Sequence, residues 1–363
     1  MTLEANEFSP TWAAAPGITI ARALTERGMS YEQLADSLQL SKRFVTNLIS
    51  GSEEITTELA EALAEKVGST KRFWLARERE YRESLNRLAN LNPDLGEWTA
   101  SLPLQDMHRF GWIRDTTGAE VVAECLRFFG VSSLERWKQA FESAVIAAAF
   151  RSSAAFDMDT GSLSVWLRRG ELEAAAVKCA TWDPKKFKNC LPEIRKLTRL
   201  KSPSQFMPEL RRLCSASGVA VVVVAAPAGC RASGAARFVS KSRALIQLSQ
   251  RYGTDDQFWF TFFHEAGHLL LHPKTDLFVD DVDSNDSREE NEANEFASKS
   301  LLSESQSAKL SQLPITYRDV IRFAREVGLS PGIIVGQLQH SKRIKYQWLN
   351  KAKRKFDWNE LQD

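Results

Sequence analysis

Apolar positions recur three and four residues apart along most of this chain, and that rhythm changes character at only one place, residues 219–249. Residues 18–27, 31–38, 41–50 and 56–67 each repeat at helical spacing. Gly28, Gly51 and Gly68 separate them, and Ser30, Ser41 and Thr56 stand where a hydroxyl caps a helix start. The pattern predicts a compact bundle whose middle pair buries Leu34, Ala35, Leu38, Leu40, Val45, Leu48 and Ile49. Residues 72–88 continue as a charged helix, and residues 92–96 (NPDLG) read as a turn and a domain boundary. Between 97 and 215 the spacing stays helical, as in 120–129, 133–150 and 170–180. Pro184, Pro192, Pro203 and Pro208 are expected to break the later part.

The texture turns to β at residues 219–225 (VAVVVVA), with shorter strands at 237–240 and 244–249, which predicts a small sheet. An exposed edge of such a sheet could hold an extended peptide by strand addition, unless every edge is covered. Residues 257–271 are apolar on all sides. With Asp255 and Asp256 in a first turn and Pro273 after the end, they predict a buried helix packed on the sheet. The acidic run that follows reads as a solvated loop over 276–287 and then as a helix whose inward face carries Ala293, Phe296, Ala297 and Leu301. Residues 315–327 and 331–340 predict two more helices, read as a hairpin closing this core rather than as a DNA-reading pair. Residues 342–355, basic and aromatic, read as a solvated terminal helix. The fold class is therefore α+β and mostly α, with expected domains at 10–88, 89–215, 216–310 and 311–363.

Composition narrows the classes. A hydrophobic share of 43% with 26% charged residues is that of a soluble globular protein, and no apolar run approaches the ~18 residues of a membrane span. The N-terminus lacks the pattern of a secretory signal, so a cytoplasmic location is expected. Five cysteines without a CxxC pair fit a reducing compartment and offer no thiolate metal site. At a net charge of +2, any nucleic-acid contact has to come from a local basic patch.

The chemistry concentrates in His264, Glu265, Ala266, Gly267 and His268. Four residues apart on a helix, the two imidazoles project from one face and can share a metal ion. Glu265 beside them can take a proton from water in the ion's open position, the arrangement used for metal-assisted peptide hydrolysis. His272 does not complete the set: at about 1.5 Å rise per residue it lies roughly 12 Å along the axis from His264, against metal bonds of about 2.0–2.2 Å. It is expected to cap or pack at the helix end. The third ligand has to come from elsewhere; the acidic run offers candidates, and periodicity leaves Glu289 and Glu290 both open.

FTFFHEAGHLLLH followed by ENEANEFASKSLL resembles the ImmA/IrrE family of metallopeptidases, whose pattern is HExxH and then ExxAN. The resemblance implies a zincin-like core in which His264, His268 and Glu290 hold Zn²⁺, Glu265 is the catalytic base, and Asn294 orients a ligand. It departs where Ser303 and Glu304 replace the family's usual proline. PGITIARALTERGMSYEQLADSLQLSKRFVTNLISG is similar to the helix-turn-helix of the XRE class, HigA-type antitoxins in particular. That implies binding of double-stranded operator DNA through Ser41, Lys42, Arg43, Thr46 and Asn47 on the exposed side of the second helix. Gln39 stands where the family usually has glycine, so the turn needs a positive φ from a less suitable residue. Together the resemblances imply a homodimeric regulator fused to a zinc endopeptidase that cleaves a repressor or other regulatory protein in a stress, phage or toxin–antitoxin response. The alternative is a non-proteolytic, antitoxin-type autorepressor that binds operator DNA and a toxin.

Overall fold

The computed structural model describes residues 13–49, 51, 53–91, 94–116, 119–142, 159–251, 253–272, 277–280 and 288–361. The chain forms two compact units. No helix among the described residues is long and apolar enough to cross a membrane.

The first unit is helical. Helices α1 (Pro16–Glu26), α2 (Tyr31–Leu38), α3 (Lys42–Ile49) and α4 (Thr57–Lys66) surround a core of Ile20, Leu24, Leu34, Ala35, Val45 and Leu48, against which Leu38, Leu40 and Ile49 pack partly buried. Ser30 and Gln33 form a reciprocal capping box on α2, and the Thr56 hydroxyl caps α4. Gln39 ends α2 at φ 55°, the left-handed turn expected of it. The charged helix α5 (Lys71–Leu91) follows, and α6 (Asp94–Ala100) starts inside the expected turn, whose first two residues lie outside the described set. Next come α7 (Leu104–Arg109), α8 (Ala119–Phe129) and α9 (Leu134–Trp137), the last running into a π-helical turn, Lys138–Glu142. The helix expected over 133–150 is described only to 142. That expected over 170–180 is instead α10 (Thr160–Ala175), which begins ten residues earlier and is buried on nearly every side.

The second unit holds the sheet. Helices α11 (Pro184–Leu197) and α12 (Pro203–Ser215) precede it, and here the proline reading needs correction. Pro184 and Pro203 open the helices, while Pro192 and Pro208 lie inside them without ending them. The stripes Phe187, Leu191, Ile194 and Phe206, Met207, Leu210 are buried in the core, and that burial outweighs the ~3 kcal/mol an internal proline costs.

The strands are β1 (Val219–Val224), β2 (Gly234–Ser240), β3 (Arg243–Ser249) and β4 (Leu277–Asp280), in the order β1-β3-β2-β4. β1 runs parallel to β3, and β2 antiparallel to both β3 and β4. Two expectations change. β2 starts three residues before the predicted strand, because Gly234, Ala235 and Ala236 pair on both sides. β4 lies where a loop was predicted, with Leu277–Asp280 pairing along Arg237–Gly234 and covering that side of β2; residues 281–287 of the expected loop lie outside the described set.

Across the sheet runs α13 (Asp255–Leu271), followed by α14 (Arg288–Leu301), α15 (Glu304–Ser311), α16 (Tyr317–Val327) and α17 (Pro331–His340). Gly328 at φ 73° and the Ser330 cap form the corner between α16 and α17, and this hairpin packs its Val320, Phe323, Ile334 and Leu338 into the same core as Trp259 and Phe262 of α13.

Beyond it the expected terminal helix over 342–355 is, among the described residues, only a short 3-10 turn, Asn350–Ala352. Lys342 and Leu349 adopt positive φ, and the segment comes back to clasp the start of α13. The Asp255 N–H donates to the Arg354 carbonyl (2.9 Å), the Arg354 N–H donates to Asp255 Oδ1 (3.0 Å), and the Phe356 N–H donates to the Gly253 carbonyl (2.7 Å). The Lys353 ammonium sits 2.6 Å from Asp256 Oδ2, both side chains nearly buried.

Candidate metal centre and nucleic-acid interface

Helix α13 is apolar all round because it is enclosed all round, and its polar residues are therefore costly unless they are used. His264 and His268 are each 1% exposed and Glu265 is fully buried. Helix α14 lies against it through the stripe Glu290, Ala293, Ala297 and Leu301. The crossing is close because a Cβ on Gly267 would stand 3.3 Å from the Ala293 Cα and 3.1 Å from a Phe296 ring carbon. Gly267, between the two histidines, lets α14 approach near enough for a carboxylate from its first turn to reach them. The two acids that periodicity left open differ in burial: Glu289 is exposed and Glu290 is buried.

Three donor atoms converge. His264 Nε2 and His268 Nε2 are 2.9 Å apart, and the Glu290 oxygens lie 3.0 Å from the first and 3.4 Å from the second. These separations bracket the roughly 3.3 Å edge of a tetrahedron with bonds of about 2.0–2.1 Å. The outer ring atoms fix the tautomers. His264 Nδ1–H donates to Asn294 Oδ1 (3.0 Å). His268 Nδ1–H donates to His272 Nδ1 (3.3 Å), and His272 Nε2–H donates to Glu292 (2.9 Å), itself paired with Arg288. Both Nε2 lone pairs and the Glu290 carboxylate then point at one place. Three electron-rich groups crowded in a buried space repel one another unless a cation lies between them, so the donor set fits a divalent metal of the zinc type.

Burial lowers the His268 pKa to about 4 despite its bond to Glu290, so the ring is neutral and ligand-ready near pH 7. In the metal-free site a proton on Nε2 can take the cation's place. Burial would raise Glu290, but hydrogen bonding from the imidazoles then outweighs it and holds the carboxyl at about 2. His272 is the C-cap of α13, as its distance along the axis implied, and it also steadies His268.

Glu265 leaves α13 towards β2, where a Cβ on Gly234 would stand 2.4 Å from its Oε1 and 2.9 Å from its Cγ. A glycine at the head of β2 is thus what gives the carboxylate its place. Sequence reasoning missed Gly234; the only trace was a run of small residues, Gly234, Ala235 and Ala236, opening a strand.

The predicted DNA-contacting residues are partly dispersed. Ser41 and Lys42 are exposed on α3, with the Ser41 hydroxyl capping the helix by accepting from the Phe44 N–H and Lys42 paired to Glu32 at 2.8 Å. Asn47 is half-buried and donates to Glu53 (3.2 Å). Thr46 is not on the exposed side: it is 4% exposed and its hydroxyl turns back to the Lys42 carbonyl (3.0 Å). Helices α1 and α10 both pack against α3, and the contact from α10 lies beyond the bundle that the sequence pattern predicted. The Arg43 side chain lies outside the described residues.

Residues 216–338 match the family model of the IrrE N-terminal-like peptidase domain, a span from just before β1 into α17, and residues 20–74 match the helix-turn-helix model. No curated protein sequence matches the chain.

Proposed function

We propose, for a chain that joins a helix-turn-helix domain to an IrrE N-terminal-like peptidase domain, that it is a DNA-binding regulator carrying a zinc-dependent endopeptidase. The convergence of His264, His268 and Glu290 on one buried point carries this reading. Those three would hold Zn²⁺, with Asn294 and the His272–Glu292 pair keeping the imidazoles in the ligating tautomer. A zinc ion there supplies Lewis-acid polarisation of a peptide carbonyl and an acidified water. Glu265, immobilised against Gly234, takes a proton from the attacking water and delivers it to the amide nitrogen as the C–N bond breaks. Full burial holds that carboxylate away from bulk water until a substrate brings an amide to it. The substrate is a repressor or similar regulatory protein of the cytoplasm, cleaved in a stress, phage or toxin–antitoxin response. The N-terminal domain reads operator half-sites as a homodimer, with Ser41, Lys42, Arg43 and Asn47 at the DNA.

Metal analysis of the purified protein should give one zinc per chain, lost in His264→Ala and in Glu290→Gln. Zinc retained in both variants would remove the site. Glu265→Gln should keep the metal and abolish new protein termini detected by mass spectrometry after co-expression with neighbouring genes. Unaltered cleavage would exclude Glu265 as the base. Operator affinity should fall steeply with salt, as phosphate contacts require.

A further inference from the structure

Within the helical unit, α5, α8 and the segment around Arg114 enclose a cavity of about 160 Å³ lined by Arg82, Arg114, Arg127, Thr116, Glu120 and Glu124. Arg127 is 1% exposed. One of its terminal nitrogens pairs with the buried Glu124 carboxylate, but its Nε and Nη1 have no hydrogen-bond partner among the described residues. Nor have Arg82 Nη2 and the Thr116 hydroxyl.

Glu124 is already shared, with Arg82 Nη1 at 3.8 Å and Arg114 Nε at 3.9 Å as well as Arg127, while Arg82 also pairs with the buried Glu78 at 2.5 Å and Arg114 with Glu54. The other carboxylate of the lining, Glu120, is exposed. Burial first, and then the neighbouring Arg82 and Arg114 charges, bring the Arg127 pKa down to about 9, with Tyr81 and Glu78 opposing the shift. A buried donor left unsatisfied is costly, and more so when charged. A fold that keeps four such donors around one void gains most from an occupant with several acceptor oxygens and negative charge.

We infer that this cavity is a binding site for a small oxyanion of the phosphate class, gripped by Arg82, Arg114 and Arg127 and by the Thr116 hydroxyl. A planar carboxylate is the poorer match: Glu124 already fills that role on one side, and the remaining guanidinium and hydroxyl donors suit a tetrahedral group with three or four oxygens. Arg114 also donates to Glu54, in the connection between α3 and α4, at 2.9 Å. The occupant therefore shares a guanidinium with the helix-turn-helix bundle, which gives a bound phosphate group a direct hold on the DNA-binding end of the chain.

The test is isothermal titration of the full-length protein with inorganic phosphate, and in parallel with a sugar phosphate and a nucleoside monophosphate, at constant ionic strength with chloride as the control. Saturable 1:1 binding with Kd at or below about 1 mM is expected for at least one of the three. Arg114→Gln, at a partly exposed position, should weaken it at least about tenfold while melting like the wild type in chloride. Thr116→Val serves as the second variant should Arg114→Gln fail to fold, and should weaken binding in the same direction. Tight inorganic phosphate identifies the free ion as ligand, and a preference for either ester identifies the phosphomonoester. Absence of saturation with all three, or equal affinity in a folded variant, overturns the assignment.

Discussion

Replacing Gly234 by alanine tests how Glu265 is positioned without touching any metal-facing side chain. The new methyl would stand 2.4 Å from Glu265 Oε1, 2.6 Å from Thr261 Cγ2 and 2.9 Å from Glu265 Cγ, whereas ordinary contact begins near 3.4 Å. The carboxylate therefore has to move by about 1 Å, and in a fully buried position it has little room to do so. Overpacking of this kind costs about 1–3 kcal/mol, and a misplacement of about 1 Å in a catalytic group costs on the order of 100-fold in rate. The expected variant binds one zinc, melts a few degrees lower and cuts roughly 100-fold more slowly, read from the rate at which new termini accumulate. Wild-type cleavage by a zinc-loaded Gly234→Ala protein would refute the idea that β2 sets the position of Glu265. Loss of zinc would show that the strand supports the ligands instead.

Asn294→Ala should weaken zinc binding about 10–100-fold, measured by chelator competition, because His264 loses the acceptor that fixes its tautomer; unchanged affinity would assign that hydrogen bond to packing alone. The metal-free protein should lose stability in acid. The unfolded His268, with its ordinary pKa of 6.5, takes up a proton before the folded one at about 4, so its contribution is complete above pH 6.5 and gone once the pH falls through 4. Glu290, lowered from 4.5 to about 2, acts in the same direction, complete above pH 4.5 and lost towards 2. Urea midpoints across pH 4–6.5 should fall for the wild type and flatten in His268→Gln; parallel slopes would contradict this. Lys353→Met leaves Asp256 charged and buried without its partner and should cost about 3–5 kcal/mol in urea unfolding, whereas a loss below about 1 kcal/mol would mark the pair as behaving like an exposed one.

Local periodicity carried the reading far where both partners lie on one helix. His264 and His268 are such a pair, and the rise per residue was enough to set His272 aside as a ligand. Where the partner lies on another element, spacing ran out. It left Glu289 and Glu290 equivalent, and the resemblance to a known motif preferred Glu290; burial against α13 is the physical difference between them. Thr46 was misplaced for the same reason, since α10 packs on α3 from a distant part of the chain. β4 was read as loop because only four residues pair, in the midst of an acidic run, and a strand that short takes its stability from β2. Gly234 shows its purpose only once Glu265 is beside it.

The clasp on α13 has a consequence for how the protein comes to be made. Asp255 and the backbone of Arg354 that closes on it are separated by 99 positions. A ribosome therefore exposes the histidine-bearing segment long before the residues that anchor its first turn. The growing polypeptide can fold its amino-terminal bundle while α13 is still unlatched, so the segment bearing the two histidines gains its anchor only after residue 354 has emerged.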